Sequence, residues 1–442
     1  MRETRQVFNQ ASGFILVLAL AICDSAWASN GYQLNGWGVA SRGMSGAGIA
    51  LEDDAMGAAG NPASIAELEG NQWQIGSTIL HARPSFRAGE IPAGEPTPGN
   101  FAFRPGIRRG DPDQASQVSK IFFIPYGAAT WQLDDRSNIG VVVYGNGGLN
   151  ATYQSFDNSS FCPAGTPQRG ILCFGDAGSD IAQIFIAPTY ARRVNDWLTL
   201  GANALVVGQS IEIRGLGIFA GQSQNPDKLT NNDHDYSYGY GGKVGAQAQI
   251  SPRLRAGLTY QTRVYMTEFD EYSGLLAEDG DFDIPSYVQF GLAWDAVPRL
   301  TLVADFQKIF FNSINSLGNS SASPGLLGED NGPGFGWEDV EAYKVGALYR
   351  HNATWTWRAG YTRTKQPVRP EHVSFNLLAG SVLDDHLNFG FSYKVDHNSS
   401  LGMAFLWAPR NTVSGPNPQV PGQQLETSLE AFTIDIAWQH RF

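Results

Sequence analysis

The chain has 442 residues, a formal net charge of −12, 51 glycines and 12% aromatic residues, but only 30 lysines and arginines. With so few basic residues and no basic cluster, nucleic acid is excluded as a partner. Beyond the N-terminal segment there is no apolar run of about 18 residues, so a bundle of membrane-spanning helices is excluded too.

Residues 1–28 read as a secretory signal peptide. Arg2 and Arg5 open it, Gly13 to Ile22 form its apolar stretch, and Ala26-Trp27-Ala28 supply the small-x-small cleavage pattern before Ser29. Cys23 follows Ile22, where a lipoprotein signal needs a small residue, so lipidation is rejected. Residues 29–70 are small, glycine-rich and poor in large apolar groups. Asp54 is placed to cap a turn through Ala55-Met56 that stops at Gly57 or Gly60. Asn61 caps a second turn, with Pro62 at its first helical position, where a missing N–H costs nothing. The run Gly43, Ser45, Gly46, Gly48 permits close backbone approach to other elements.

From residue 71 to 442, segments of alternating apolar and polar residues recur. They predict fourteen strands at 72–81, 120–132, 138–153, 180–192, 197–213, 236–250, 254–268, 285–295, 299–311, 340–351, 353–365, 386–396, 399–409 and 427–442. Long and short gaps alternate between them, seven long and six short. A soluble sandwich has no reason to sort its loops in this way. A bacterial outer-membrane barrel does: its strands are even in number and antiparallel, with long outer loops and tight periplasmic turns. The last strand shows both faces. Phe432, Ile434, Ile436, Trp438, His440 and Phe442 fall on one side, and Ala431, Thr433, Asp435, Ala437, Gln439 and Arg441 on the other. Trp131, Tyr190, Trp197, Trp294 and Trp407 sit near strand ends, where interfacial girdles belong. The terminal Phe442 resembles the signal such barrels present to the barrel assembly machinery. The predicted fold is therefore all-β: a 14-stranded antiparallel transmembrane barrel (71–442), plugged by a small N-terminal helical hatch (29–70), in the outer membrane among lipid and lipopolysaccharide.

Cys162 and Cys173 share a Gly/Pro-rich segment. In an exported chain the simplest reading is a disulfide closing a loop. The alternative, a metal site, lacks nearby histidines. Gly145-Asn146-Gly147-Gly148 interrupts an otherwise β-branched strand and favours a bulge or kink. The seven histidines are scattered and none accompanies a nucleophile motif, so no enzyme and no cofactor is expected.

The segments NGYQLNGWGVASRGMSGAGIA and DDAMGAAGNPASI resemble the N-terminal hatch of the FadL family, whose most recognisable mark is the Asn61-Pro62-Ala63 tripeptide at this offset. VVVYGNGGLNATY, SDIAQIFIAPTYA and the stretch 337–368 extend the resemblance over nearly the whole mature chain. It implies passive uptake by a monomer. A hydrophobic molecule is caught among the outer loops and passes to an apolar internal pocket. It is released by hatch movement and leaves sideways where the third strand kinks, at Gly145–Gly148. Tyr32 and Leu34 match residues the family sets against its ligand, and Gln183 and Phe185 on the fourth strand would line the pocket if that face points inward. Long-chain fatty acids are the first expectation and neutral aromatic hydrocarbons the alternative, with a general porin behind both. A carboxylate cargo would need a buried cation or donors; Arg192, Arg193, Arg263 and Lys308 are the candidates.

Overall fold

The computed structural model describes residues 30–51, 53–93, 103–105 and 121–442. The expected signal peptide and its cleavage point lie outside the described residues. Fourteen long strands form one antiparallel sheet in which sequence neighbours are spatial neighbours. They are β1 Gln72–Ala82, β2 Ile121–Asp134, β3 Ser137–Tyr153, β4 Ala177–Arg193, β5 Leu198–Arg214, β6 Asp235–Ser251 and β7 Leu254–Gln261, followed by β8 Tyr287–Val297, β9 Leu300–Ile309, β10 Val340–Arg350, β11 Trp355–Lys365, β12 Asp385–Lys394, β13 Ser399–Pro416 and β14 Gln424–Arg441. β1 pairs with β14 from Gln72 opposite Arg441 to Ala82 opposite Ala431, which closes the sheet into a barrel. Closure gives the backbone groups of both would-be edge strands a partner where hydrocarbon offers none. No helix among the described residues is long and apolar enough to cross a membrane.

The two-residue period sets the faces. On β14, Thr433, Asp435 and Ala437 are buried, whereas Ile434 and Ile436 are exposed to the lipid side. Trp131, Tyr190, Trp197, Trp294 and Trp407 are all exposed on the outer surface.

Three elements differ from the predicted boundaries. After β1, a short segment Ser85–Ala88 pairs again with β14. The strand predicted over 254–268 breaks after Gln261 because Val264 bridges Ile284 instead; pairing resumes only at Tyr265–Met266, against β6. β13 and β14 stay paired as far as Pro416 opposite Gln424, so the expected long gap at 410–426 is mostly strand. The register shifts between Ala408 and Asn411, around Pro409, which has no N–H for the ladder.

The described residues between 30 and 70 fill the lumen. They form α1 Gly38–Gly43, α2 Gly57–Gly60 and a 3₁₀ helix Pro62–Glu67. α1 was not predicted, because two glycines bound it. Its first residue, Gly38, has φ +74°, and a Cβ there would stand 2.9 Å from Met56 Cβ. Asp54 sits at the head of the turn ahead of α2: its carboxylate accepts the Met56 N–H and its carbonyl the Gly57 N–H, and α2 starts after Met56. Asn61 does cap the 3₁₀ helix, accepting the Ala63 N–H at 3.1 Å with Pro62 next to it. The Asn61 amide also donates to the Ile49 carbonyl (2.9 Å) and to the Ala246 carbonyl on β6 (3.1 Å). One side chain therefore closes a helix, braces the hatch and ties it to the wall. Gly201 on β5 permits this close seat, since a Cβ there would lie 2.5 Å from the Ala63 nitrogen.

Candidate functional site: the lumen between the hatch and the outer loops

The hatch buries Tyr32, Trp37, Met56 and Ile65 against the barrel, and polar contacts pin it to the wall as well. Arg42 donates to Asp435 at 2.8 Å and to Thr433 at 2.9 Å, with both partners of the ion pair nearly inaccessible. Arg358 donates to Asp53 through Nη2 at 2.9 Å. Asp305 accepts the Gly48 and Ile49 N–H groups at 3.0 and 3.1 Å. Buried ion pairs add little net stability when intact, but removing one partner strands a buried charge. The contacts therefore fix where the hatch sits more than how stable it is.

The third strand carries the bulge. The β3–β4 register shifts between Gly145 and Gly147, and Gly147 has φ +145°, a backbone state that L side chains rarely adopt. The hatch takes up backbone groups at this break. Leu34 N–H donates to the Asn146 carbonyl at 2.8 Å, and Gly148 N–H donates to the Tyr32 carbonyl at 3.1 Å. The first residues of the hatch thus lie along the bulge as a short added strand.

Above them a cavity of about 190 Å³ opens between the barrel and the outer loops. Leu149, Ile181 and Ile211 form its floor on β3, β4 and β5, and Phe219, Phe282 and Leu377 close it from three loops. The Cys162–Cys173 disulfide, with Cα atoms 5.5 Å apart, holds a further loop whose Ile171 and Leu172 join the wall. Ser179, Gln222 and Asn417 supply neutral polar groups. Among the described residues no Lys, Arg, Asp or Glu lines this space.

The four residues marked for ligand contact sit lower. Tyr32 packs edge-on against Phe311 at 5.2 Å and lies 6.1 Å from both Phe282 and Trp337. It reaches the cavity only through Phe282. Leu34 lines a separate small space beside Trp37, Tyr126, Tyr144 and Gly145. Gln183 faces inward and accepts the Asn146 amide at 3.1 Å. Phe185 is fully buried and stacks on Tyr144 at 5.2 Å. Neither Gln183 nor Phe185 belongs to the wall of the large cavity. On that face of β4, Ser179 and Ile181 line it instead. That face of β4 points inward, but height along the strand carries no periodic signal.

The cations considered for a carboxylate are all engaged elsewhere. Arg192 donates to Ser137 at 3.0 Å, and Arg193 lies 3.8 Å from Glu67. Arg263 is clasped by Asp283 (2.5 Å) and Asp281 (3.2 Å), and Lys308 by Asp339 and Glu341. Sequence reasoning missed Lys243, whose side chain is buried in the lumen against Trp37, Tyr144 and Tyr287. Its signal was a lysine in the inward phase of β6, next to the outward Val244. One serine–histidine pair meets at the cavity, Ser321 Oγ and His372 Nδ1 at 2.8 Å, but no carboxylate orients the ring among the described residues.

The profile of a family described as outer membrane protein transport protein (OMPP1/FadL/TodX) matches residues 19–442. Comparison with curated proteins gave no match. Among solved structures, the toluene transporter TodX of P. putida superposes with a TM-score of 0.64 at 17% identity, covering 92% of this chain and 99% of that one. A FadL homologue of Pseudomonas aeruginosa gives 0.67 at 17% identity, covering 93% and 100%. The toluene transporter TbuX of Ralstonia pickettii gives 0.59 at 19% identity, covering 92% and 99%. At these identities the likeness establishes the fold.

Proposed function

The chain belongs to the OMPP1/FadL/TodX family of outer-membrane transporters for hydrophobic substrates, and from that premise we propose that its cargo is a small neutral hydrocarbon of single-ring size. The observation that carries this reading is the wall of the cavity, which is apolar and uncharged among the described residues. A carboxylate placed there would have no cation among the described residues to offset the loss of its water. The volume of about 190 Å³ is of the order of an apolar cavity that holds benzene, about 150 Å³. This reverses the order of expectations, which set long-chain fatty acids first. Two of the fold relatives are named toluene transporters, and that likeness of fold is compatible with the reading.

In this reading transport is passive and has no chemical step. Cargo partitions from the outer loops into the cavity, the hatch strand at Gln33 and Leu34 lifts from the bulge, and the cargo leaves sideways between β2 and β3, whose pairing ends at Tyr126 opposite Tyr144, just before the bulge. The test is uptake by cells lacking their own transporters of this type, with labelled toluene beside labelled oleate. Toluene entry several-fold above empty cells, with oleate unchanged, is the expected outcome. Oleate uptake without toluene uptake refutes the choice of cargo.

A further inference from the structure

Lys243 is the least expected residue in the lumen. It projects inward from β6 and is 1% exposed. Its Nζ donates to the Ala59 carbonyl at the end of α2 at 2.5 Å, and no carboxylate pairs with it among the described residues. Three aromatic rings take the place of a counter-ion. Its Nζ lies 5.1 Å from the Trp37 ring centroid, 5.4 Å from that of Tyr287 and 5.9 Å from that of Tyr144. Each distance is within the roughly 6 Å over which a ring face attracts a cation. A buried cation without an ionic partner is costly, so the cage calls for a physical reason. Trp37 Nε1, Tyr144 OH and Tyr287 OH are also buried with no hydrogen-bond partner among the described residues, so these rings are placed for their faces rather than their polar ends.

The cage has mixed ownership. Trp37 and the Ala59 carbonyl belong to the hatch, Tyr144 to β3 and Tyr287 to β8. It also stands beside the bulge. Trp37 and Tyr144 line the same small space as Gly145, and Tyr144 stacks on Phe185 two inward positions below Ile181 in the cavity floor. Withdrawal of the hatch strips the ammonium of its carbonyl and of one ring, while Tyr144 and Tyr287 stay with the wall.

We propose that Lys243 selects aromatic over saturated cargo, because a cargo ring arriving beside the bulge can replace the Trp37 face over its ammonium when the hatch withdraws. This deepens the neutral-cargo reading and rests on it. An aromatic ring offers the ammonium a negative face; a cycloalkane of equal size offers only area. The residue thus lowers the barrier to hatch movement for one chemical class.

The experiment is equilibrium binding and uptake with the full chain in vesicles, using methylcyclohexane, toluene and toluenes of increasing ring fluorination. Fluorination makes a ring more hydrophobic while draining its face of negative charge, so partition and cation attraction predict opposite orders. The expected result is a preference for toluene over methylcyclohexane, with affinity falling roughly 5- to 30-fold along the fluorinated series. In Lys243→Met the series becomes flat or inverts, and the preference for toluene over methylcyclohexane is lost. Should that variant not assemble, the order of the series in the unaltered protein decides alone. Affinity rising with fluorination in the unaltered protein overturns the inference and leaves the neutral-cargo reading standing. Failure of the unaltered protein to take up any neutral ring overturns both. Equal loss of methylcyclohexane and toluene in Lys243→Met also overturns it, since that marks a latch without selectivity.

Discussion

At the scale of single residues, the hatch is seated by side chains whose charge state matters. Asp54 lies buried in the hatch, and its carboxyl is pushed up to about 6, first by burial and then by the neighbouring Asp53, against the pull of Arg358. A carboxyl that is harder to ionise in the folded state binds its proton more tightly there. Its contribution is therefore whole below the unfolded value near ~4, falls as pH rises towards about 6, and stays low above that. Asp54→Asn removes this penalty. Hydrogen exchange across residues 53–67 should show the variant hatch better protected at pH 7, by about 3 kcal/mol, with the advantage gone by about pH 4. An advantage independent of pH contradicts the assignment. Legibility at this scale was uneven. The Asn61–Pro62 cap was readable because capping is settled within three residues. Lys243 and the Arg42–Asp435 pair were not, because their meaning depends on which wall meets which side of the hatch. Arg42 and Asp435 are 393 residues apart.

At the scale of elements, the two-residue period placed the strands and their faces, since a strand between lipid and lumen must alternate. It did not place their ends above the membrane, where β13 and β14 keep pairing for local reasons. Nor did it place the cavity, because Ile181 and Phe185 share a face of β4 and only their height separates wall from cage. The loop held by Cys162–Cys173 lies outside the closed sheet but contributes Ile171 and Leu172 to the cavity. Replacing both cysteines by serine frees a loop whose closure is worth about 3 kcal/mol of chain entropy, all of it local. The expected result is an unchanged thermal transition of the barrel and toluene binding weakened by about 3- to 10-fold, as ordering the loop draws on binding energy. Binding as tight as in the oxidised protein removes this loop from the site.

At the scale of the whole molecule, two requirements meet. The barrel must close because hydrocarbon leaves no backbone group unpaired. A closed barrel of fourteen strands has a lumen that its own side chains do not fill, and the described residues between 30 and 70 occupy it. The alternation of loop lengths made the barrel legible. The small-residue composition of the hatch made a plug legible, although its contacts with the bulge were not. Those contacts, Leu34 N–H to Asn146 and Gly148 N–H to Tyr32, place the hatch strand across the break in β3.

The most direct measurement links these parts. Leu34→Cys and Asn146→Cys together allow the hatch strand to be cross-linked to the bulge with a short thiol reagent and released again by reduction. Toluene uptake should fall to the level of empty cells when cross-linked and return on reduction, with the barrel folded throughout. Uptake that continues at the unaltered rate through a cross-linked hatch would contradict exit at the bulge, and with it the account of how cargo crosses.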